Sequence, residues 1–441
     1  MPNEMSPTLR VSRRCADRLR AGYLWVYRSD IEGAAAPHEP GALITITDSR
    51  DIPLGTALYS SCSQIAARIV SPKPALSRAE YLADIRARLE AAFALRRTLA
   101  PITGSNNAHR LVFSEADNLP GIVADRYNDL VLLQLLTQGT AQNDVRSVVV
   151  EVLRETLSGN AEPLTLWERP DPRIRELEEL PLPPADPLFT THDSVAPDGL
   201  SFRSTAEETS DRINAAPSTT LFTLNGMRFA YDAAAGQKTG AFLDQRLNYA
   251  AAAAHIAASS HTGRALDVCT YHGGFALHLA RVCERVTGID ASRAALEAAD
   301  HNLTLNAGVK AEVDWVEADA FEYLRHLDAA AKTLPASRYD AIVLDPPAFA
   351  KSKRAADSAL RGYKELNLRA LRLLAPGGTL VTCSCSHHVS LEEFTAIVAS
   401  AAADAGRRVQ LLETRAAAPD HPEVMTLPET RYLKCLVCRV D

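Results

Sequence analysis

From Leu221 onward, short apolar and β-branched runs alternate with helix-length segments; the runs occupy 265–268, 286–289, 313–316, 339–344 and 379–383. That rhythm admits few folds. Parallel strands need long crossover connections, and segments of this length supply them as helices. Residues 221–441 are therefore expected to form an α/β, doubly wound, mostly parallel sheet. Such sheets bind ligands beyond the carboxyl ends of their strands, so the residues directly after each run are where chemistry is sought.

The first run leads into Asp267-Val268-Cys269-Thr270-Tyr271-His272-Gly273-Gly274-Phe275. Paired glycines at a strand-to-helix turn let backbone approach a ligand closely, and the helix that follows presents free N–H groups. The second run ends in Gly288-Ile289-Asp290, an acid placed to accept from ribose hydroxyls. The third leads to Glu317-Ala318-Asp319-Ala320, where Asp319 could accept from an adenine amino group, and the fourth to Asp345-Pro346-Pro347-Ala348-Phe349. One acid after a strand is commonly a cap or a turn residue. All four in order, at βαβ spacing, indicate a nucleoside-bearing cofactor. A dinucleotide site wants G-x-G-x-x-G, and here only the Gly273-Gly274 pair is present. S-adenosylmethionine has no pyrophosphate to cradle, so a looser turn suffices. The prolines after Asp345 remove backbone donors and stiffen the turn, which suits a flat, polar substrate edge held beside a methyl donor.

The fifth run ends in Thr382-Cys383-Ser384-Cys385-Ser386. A thiol there would face Asp345 across the cleft. Carbon 5 of cytosine is a poor nucleophile, so its methylation needs covalent help. A thiolate adds to carbon 6, carbon 5 becomes enamine-like and attacks the methyl sulfonium, and elimination restores aromaticity. Electropositive surroundings would ionise such a thiol, and Asp345 could hydrogen-bond the base edge during addition. The bland alternative is a small buried hydrophobe. Cys383 and Cys385 share a face of a regular strand; Cys385 lies farther toward the cleft mouth.

The N-terminal segment differs. Arg10, Arg13, Arg14, Arg18, Arg20 and Arg28 crowd around a single acid, Asp17, with Tyr23, Trp25 and Tyr27 interleaved. Strand-like runs at 43–47, 56–59 and 65–70 follow, so a small β-rich module is expected over 1–72. Arg13, Arg14, Arg18, Arg20 and Trp25 are its candidates for phosphate contact and base stacking; a solvated arginine face over a tryptophan core competes with that reading. Ser77-Arg78-Ala79-Glu80 has the capping-box pattern and opens an amphipathic helix with Leu82, Ile85, Leu89 and Phe93. Residues 73–180 read as an α+β middle unit, and the proline-rich, then polar 181–220 as a linker or insertion.

At 441 residues several domains are expected. No apolar run reaches the roughly 18–20 residues of a membrane span, and the N-terminus lacks the apolar core of an export signal. The eight scattered cysteines fit a reducing compartment, so a cytoplasmic location is expected. A net charge of −7 argues against indiscriminate coating of nucleic acid but leaves room for a local basic face. Cys435-Leu436-Val437-Cys438 has zinc-like spacing on a strand, where residues three apart face opposite ways, and no second pair lies nearby in sequence; no metal is expected. His387-His388 makes a poor chelate. Lys351 and Lys353, just past Asp345, could meet RNA phosphates or depress the thiol pKa.

Taken together, these residues resemble the large-subunit ribosomal RNA methyltransferase I family of cytosine-5 enzymes. The likeness runs through Gly22-Tyr23-Leu24-Trp25-Val26-Tyr27, Phe113-Ser114-Glu115-Ala116-Asp117, Gly236-Gln237-Lys238-Thr239-Gly240 and Phe242-Leu243-Asp244-Gln245-Arg246. It continues through Tyr271 to Phe275, Asp345-Pro346-Pro347, Arg361-Gly362-Tyr363-Lys364, Ser384-Cys385-Ser386 and Tyr432-Leu433-Lys434. The resemblance implies a PUA-like RNA-binding domain, an α+β middle domain and a Rossmann-like class I methyltransferase domain acting on a cytosine of 23S ribosomal RNA. It implies that S-adenosylmethionine lies between Lys238, Thr239, Gly240, Asp244 and Arg246 on one side and the strand ends at Asp267, Tyr271, Gly273, Gly274, Phe275, Asp290, Asp319, Ala320 and Asp345 on the other. Cys385 is the implied nucleophile and Asp345 the acid beside it. Unlike most cytosine-5 RNA methyltransferases, the chain has no second cysteine after Asp345-Pro346, so the base that resolves the adduct is unassigned. A guanine-N7 enzyme with the same Asp-Pro-Pro-x-Phe motif and a non-catalytic RNA-binding assembly factor stay open as alternatives, as does a homodimer.

Overall fold

The computed structural model describes residues 7–33, 38–157, 163–169, 171–191, 218–233, 241–331, 338–349 and 356–441. Five strands build the first sheet: β1 (Thr8–Arg10), β2 (Trp25–Tyr27), β3 (Leu43–Thr47), β4 (Pro53–Tyr59) and β5 (Ile65–Ser71), in the order β1-β3-β4-β5-β2. Helix α1 (Arg13–Arg20) connects β1 to β2. Leu9, Val11, Val26, Ile44, Ile46 and Ala67 form its own small core.

Helix α2 (Arg78–Leu99) begins at the expected capping box, where Ser77 Oγ accepts from Glu80 N and Glu80 Oε2 accepts from Ser77 N. Ile85, Leu89 and Phe93 are buried along it as the spacing predicts; Tyr81 takes the buried place at its start and Leu82 is only half-buried. The middle sheet comprises β6 (Ala108–Phe113), β7 (Ile122–Tyr127), β8 (Leu130–Leu135), β9 (Thr165–Glu168) and β10 (Phe189–Thr190), with α3 (Asn143–Leu157) and α4 (Pro172–Glu178) between them. Because β10 pairs with β9, residues at 189–190 of the stretch read as a linker belong to this sheet.

A hairpin of β11 (Thr219–Leu224) and β12 (Met227–Asp232) bridges to the C-terminal unit. Asn225 and Gly226 both take positive φ (51° and 81°), as a two-residue hairpin turn requires. Phe222 and Tyr231 stand in ring contact with Tyr127 of the middle sheet.

Helix α5 (Arg246–Ser259) precedes a seven-stranded sheet. Its strands are β13 (Arg264–Val268), β14 (Arg285–Asp290), β15 (Glu312–Glu317), β16 (Tyr339–Leu344), β17 (Leu374–Ser384), β18 (Val409–Arg415) and β19 (Lys434–Val440). Helices α6 (Gly274–Leu279), α7 (Arg293–Thr304), α8 (Ala320–Ala331), α9 (Ala356–Leu373) and α10 (Leu391–Ala405) connect them. The order is β15-β14-β13-β16-β17-β19-β18, parallel through β17, with β19 antiparallel to both of its neighbours. The chain thus winds outward one way from β13 and then returns to wind the other way from β16. This reversal opens a crevice at the carboxyl ends of β13 and β16. Cys435 and Cys438 pack into the apolar layers on opposite faces of β19, and no metal-holding cluster occurs among the described residues. No described helix is long and apolar enough to cross a membrane.

Candidate active site

The crevice is a cleft of about 1640 Å³. Small-ligand pockets run to roughly 300–1,000 Å³, so this one has room for a nucleoside cofactor and a second planar group. Its floor is the β13–α6 turn, where Cys269 and Tyr271 adopt positive φ (64° and 50°) beside Gly273 (82°). Positive φ at non-glycine residues is backbone strain, and it is held here by specific bonds. Asp267 accepts from Thr270 Oγ1 (2.6 Å) and Ala276 N (2.9 Å), and Asp290 accepts from Tyr271 N (3.0 Å) and Ser292 N (2.9 Å).

The expected cofactor residues therefore divide. Asp290, Asp319, Ala320, Tyr271, Gly274 and Phe275 line the cleft. Asp319 also caps α8 by accepting from Phe321 N and Glu322 N, which leaves lone pairs for a ligand. Asp267 is fully buried inside β13, does not line the cleft, and supports the turn; burial raises its carboxyl to about 7. Gly273 likewise acts through the turn rather than on the wall. Gly274 answers to packing as well, since a Cβ there would lie 2.5 Å from Cζ of Tyr249, whose ring meets Phe275 edge-on at 4.7 Å. Asp244 lines the opposite wall and accepts from Tyr432 OH (2.5 Å). Arg246 is buried in an ion pair with Asp420 and does not line the cleft. Lys238, Thr239 and Gly240, and also Lys351 and Lys353, lie outside the described residues.

Asp345 and Cys385 share this cleft. Gln245 Nε2 donates to Asp345 Oδ1 (3.0 Å), Asn248 Nδ2 donates to Gln245 Oε1 (2.6 Å), and Arg415 Nε donates to Asn248 Oδ1 (2.8 Å). This relay fixes the carboxyl. Burial, then the nearby Asp244 and Asp267, raise Asp345 to about 8, so it is a neutral acid at pH 7. Cys385 Sγ lies 3.8 Å from the carbonyl oxygen of Pro346. Cys383, two residues earlier, is wholly buried in the apolar layer with Cys435, whereas Cys385 lines the cleft. Among the described residues, burial, Asp345 and Asp244 push the Cys385 thiol up to about 12, and Lys434 opposes them. His387 and His388 also line the cleft, with His387 Nδ1 bonded to the carbonyl of Glu429 (3.0 Å).

Gln245, Asn248 and Tyr432 were not picked out as site residues from the sequence. The Phe242-Leu243-Asp244-Gln245-Arg246 and Tyr432-Leu433-Lys434 segments carried the signal, but nothing in their spacing says that Gln245 and not Arg246 reaches Asp345.

The wall chemistry tests the fit of the cofactor. Among the described lining residues the acids are Asp129, Asp232, Asp244, Asp290, Asp319 and Asp345, against one arginine, Arg173, and no lysine. Such a site suits a ligand carrying an ammonium and a sulfonium and disfavours a pyrophosphate. S-adenosylmethionine fits.

On the N-terminal unit, Arg13 and Arg14 are exposed. Arg18 pairs with Asp30 (2.6 Å) and stacks over Tyr23, and Arg20 pairs with Asp48 (2.6 Å). Trp25 is half-buried. Its Nε1 donates to Glu115 Oε1 of the middle unit (2.9 Å), between the edges of Tyr23 and Tyr27.

Residues 9–72 match the model of a PUA-like domain, and residues 174–439 that of an S-adenosylmethionine-dependent methyltransferase. Over the full length of both chains the protein is 32% identical to the ribosomal RNA large subunit methyltransferase I of Klebsiella pneumoniae. It is 35% identical to that of Shewanella amazonensis, over 94% of this chain and 95% of the relative. Among solved structures, a Streptococcus mutans protein described as a SAM-dependent methyltransferase superposes with a TM-score of 0.74 at 19% identity, over 98% of this chain and all of the other; that likeness speaks for the fold. The chain belongs to the ribosomal RNA large subunit methyltransferase I family and is an S-adenosylmethionine-dependent methyltransferase.

Proposed function

We propose that the protein methylates carbon 5 of a cytosine in 23S ribosomal RNA through a covalent bond from Cys385. The observation that carries this reading is the meeting in one cleft of the half-buried Cys385 thiol and the Asp345 carboxyl, whose burial favours its protonated form. The relatives named as ribosomal RNA large subunit methyltransferases support the RNA class. S-adenosylmethionine supplies an electrophilic methyl group when bound, and Asp290, Asp319 and the Tyr271–Gly274 turn are the groups we assign to hold it.

Cys385 gives its proton to solvent and its sulfur bonds carbon 6 of the base. The displaced π electrons run to N3, which takes the proton that Asp345 carries. A carboxylic acid suits this step better than a carboxylate, because it offers a hydrogen to the nitrogen that gains charge. Carbon 5 is then nucleophilic. After it is alkylated, Asp345 recovers the proton; water then takes the carbon 5 hydrogen as a proton, its electrons restore the carbon 5–carbon 6 double bond, and the carbon–sulfur bond breaks with its electrons leaving on Cys385.

The test is Cys385→Ala, assayed with 23S ribosomal RNA and followed by nucleoside digestion. The expected result is 5-methylcytidine from the native protein and none from the variant, with cofactor binding intact by calorimetry. A purine nitrogen is already nucleophilic and needs no thiol, so 7-methylguanosine in the digest, or product from the alanine variant, would overturn the covalent reading.

A further inference from the structure

Lys434 is a cation in an unusual place. It opens β19 directly opposite Ser384, is 4% exposed, and donates from Nζ to the carbonyls of Ser386 (2.7 Å) and Tyr432 (2.9 Å). Ser386 follows Cys385 in the chain, and Tyr432 lines the same cleft. Among the described residues Lys434 has no carboxylate within ion-pair distance; Glu393, the acid that acts on it, is held in the capping box at Ser390. Burial of an ammonium without a counter-ion is strongly unfavourable. Two backbone carbonyls occupy two of its three N–H groups and neutralise no charge. A fold that keeps such a group beside a nucleophile is supplying charge to it.

We infer that Lys434 is a positioning residue whose buried ammonium stabilises the thiolate of Cys385 when the nucleophile forms. The inference rests on the covalent reading above. Facing Cys385 are Asp345 and Asp244, which oppose ionisation, the phenols of Tyr363 and Tyr432, and Lys434, the cation that favours it. Burial lowers Lys434 itself to about 8, while Cys385 and Glu393 pull it back up. An anion at Cys385 would relieve the lysine, so the two ionisations support one another.

The test is the rate of iodoacetamide alkylation at Cys385, followed by peptide mass spectrometry across a pH series on the full-length protein. Lys434→Gln keeps two N–H donors for the carbonyls and removes the charge; Lys434→Arg keeps the charge. At neutral pH, where Lys434 is charged, the glutamine variant is expected to react roughly tenfold more slowly than the native protein, the two rates converging above about 8 as the native lysine loses its proton, with arginine restoring most of the neutral-pH rate. An unchanged rate at neutral pH in the glutamine variant overturns the inference. A collapsed fold would show as new alkylation at buried Cys383 and Cys438, and the arginine variant then decides alone: a neutral-pH rate like that of the native protein supports the charge role, and one about tenfold slower overturns it. Because alkylation needs neither RNA nor cofactor, its outcome is independent of Cys385→Ala, whose retained activity would sink the covalent reading instead.

Discussion

Asp345 holds its proton at neutral pH because burial and two neighbouring aspartates disfavour its charge. Between the ordinary carboxylate range and about 8, the folded protein therefore keeps a proton that the unfolded chain has released. The native state binds more protons in that window, so stability falls as pH rises through it. Asp345→Asn is expected to remove this slope, with melting temperatures gaining on the native protein from acidic to alkaline pH, while methyl transfer falls by about 100-fold or more. Parallel melting curves for the two proteins would show that the carboxyl is not held neutral. The acids Asp290, Asp319 and Asp345 were legible at this scale because each follows an apolar run. The place of Asp267 was less legible: it is the penultimate residue of β13 and its side chain bonds to the turn that follows. So was that of Arg246, whose partner, Asp420, is 174 positions away in the chain with no local pattern to announce it.

The strand-to-helix turn after β13 is the element to which we assign the cofactor. A methyl group at Gly274 would collide with the ring of Tyr249, which is itself wedged against Phe275. Rigid rings do not give way cheaply, and overpacking of this kind costs about 1–3 kcal/mol. Gly274→Ala is expected to weaken S-adenosylmethionine binding by about tenfold or more, read by calorimetry; native affinity would mean that the turn relaxes without consequence. Four of the five parallel strands, β13, β14, β16 and β17, were readable as apolar runs because strands buried on both faces have no reason to alternate, while β15, at the sheet edge, has no fully buried residue. β10 was not. Two residues in a proline-rich stretch carry no period, and β9 alone makes them a strand. The Asn225-Gly226 turn was a stronger local signal that went unused.

Across the whole molecule, the three units are tied by buried polar bonds rather than strung on linkers. Trp25 reaches Glu115, Ser60 reaches Glu178 (2.8 Å), Tyr23 reaches Glu429 (2.7 Å) and Arg96 reaches the carbonyl of Asp420 (2.9 Å). We propose that the exposed Arg13 and Arg14 meet RNA phosphates while Trp25 serves the joint. Replacing both arginines with alanine should reduce the slope of log affinity against log salt for ribosomal RNA by roughly 1–2. Trp25→Phe should leave that slope alone and lower stability by about 1–2 kcal/mol through the lost bond to a carboxylate. A changed salt slope in the phenylalanine variant, or none in the double alanine variant, would reverse the assignment.

The placement of β19 has a consequence in time. Translation delivers residues 434–440 after every other strand of the sheet, yet they insert between β17 and β18. The ribosome therefore emits an N-terminal unit able to fold early well before the strand that leads to Cys385 acquires its neighbour. Until residues 434–440 arrive, β17 stands as an open edge and the wall of the crevice beside Cys385 is unfinished.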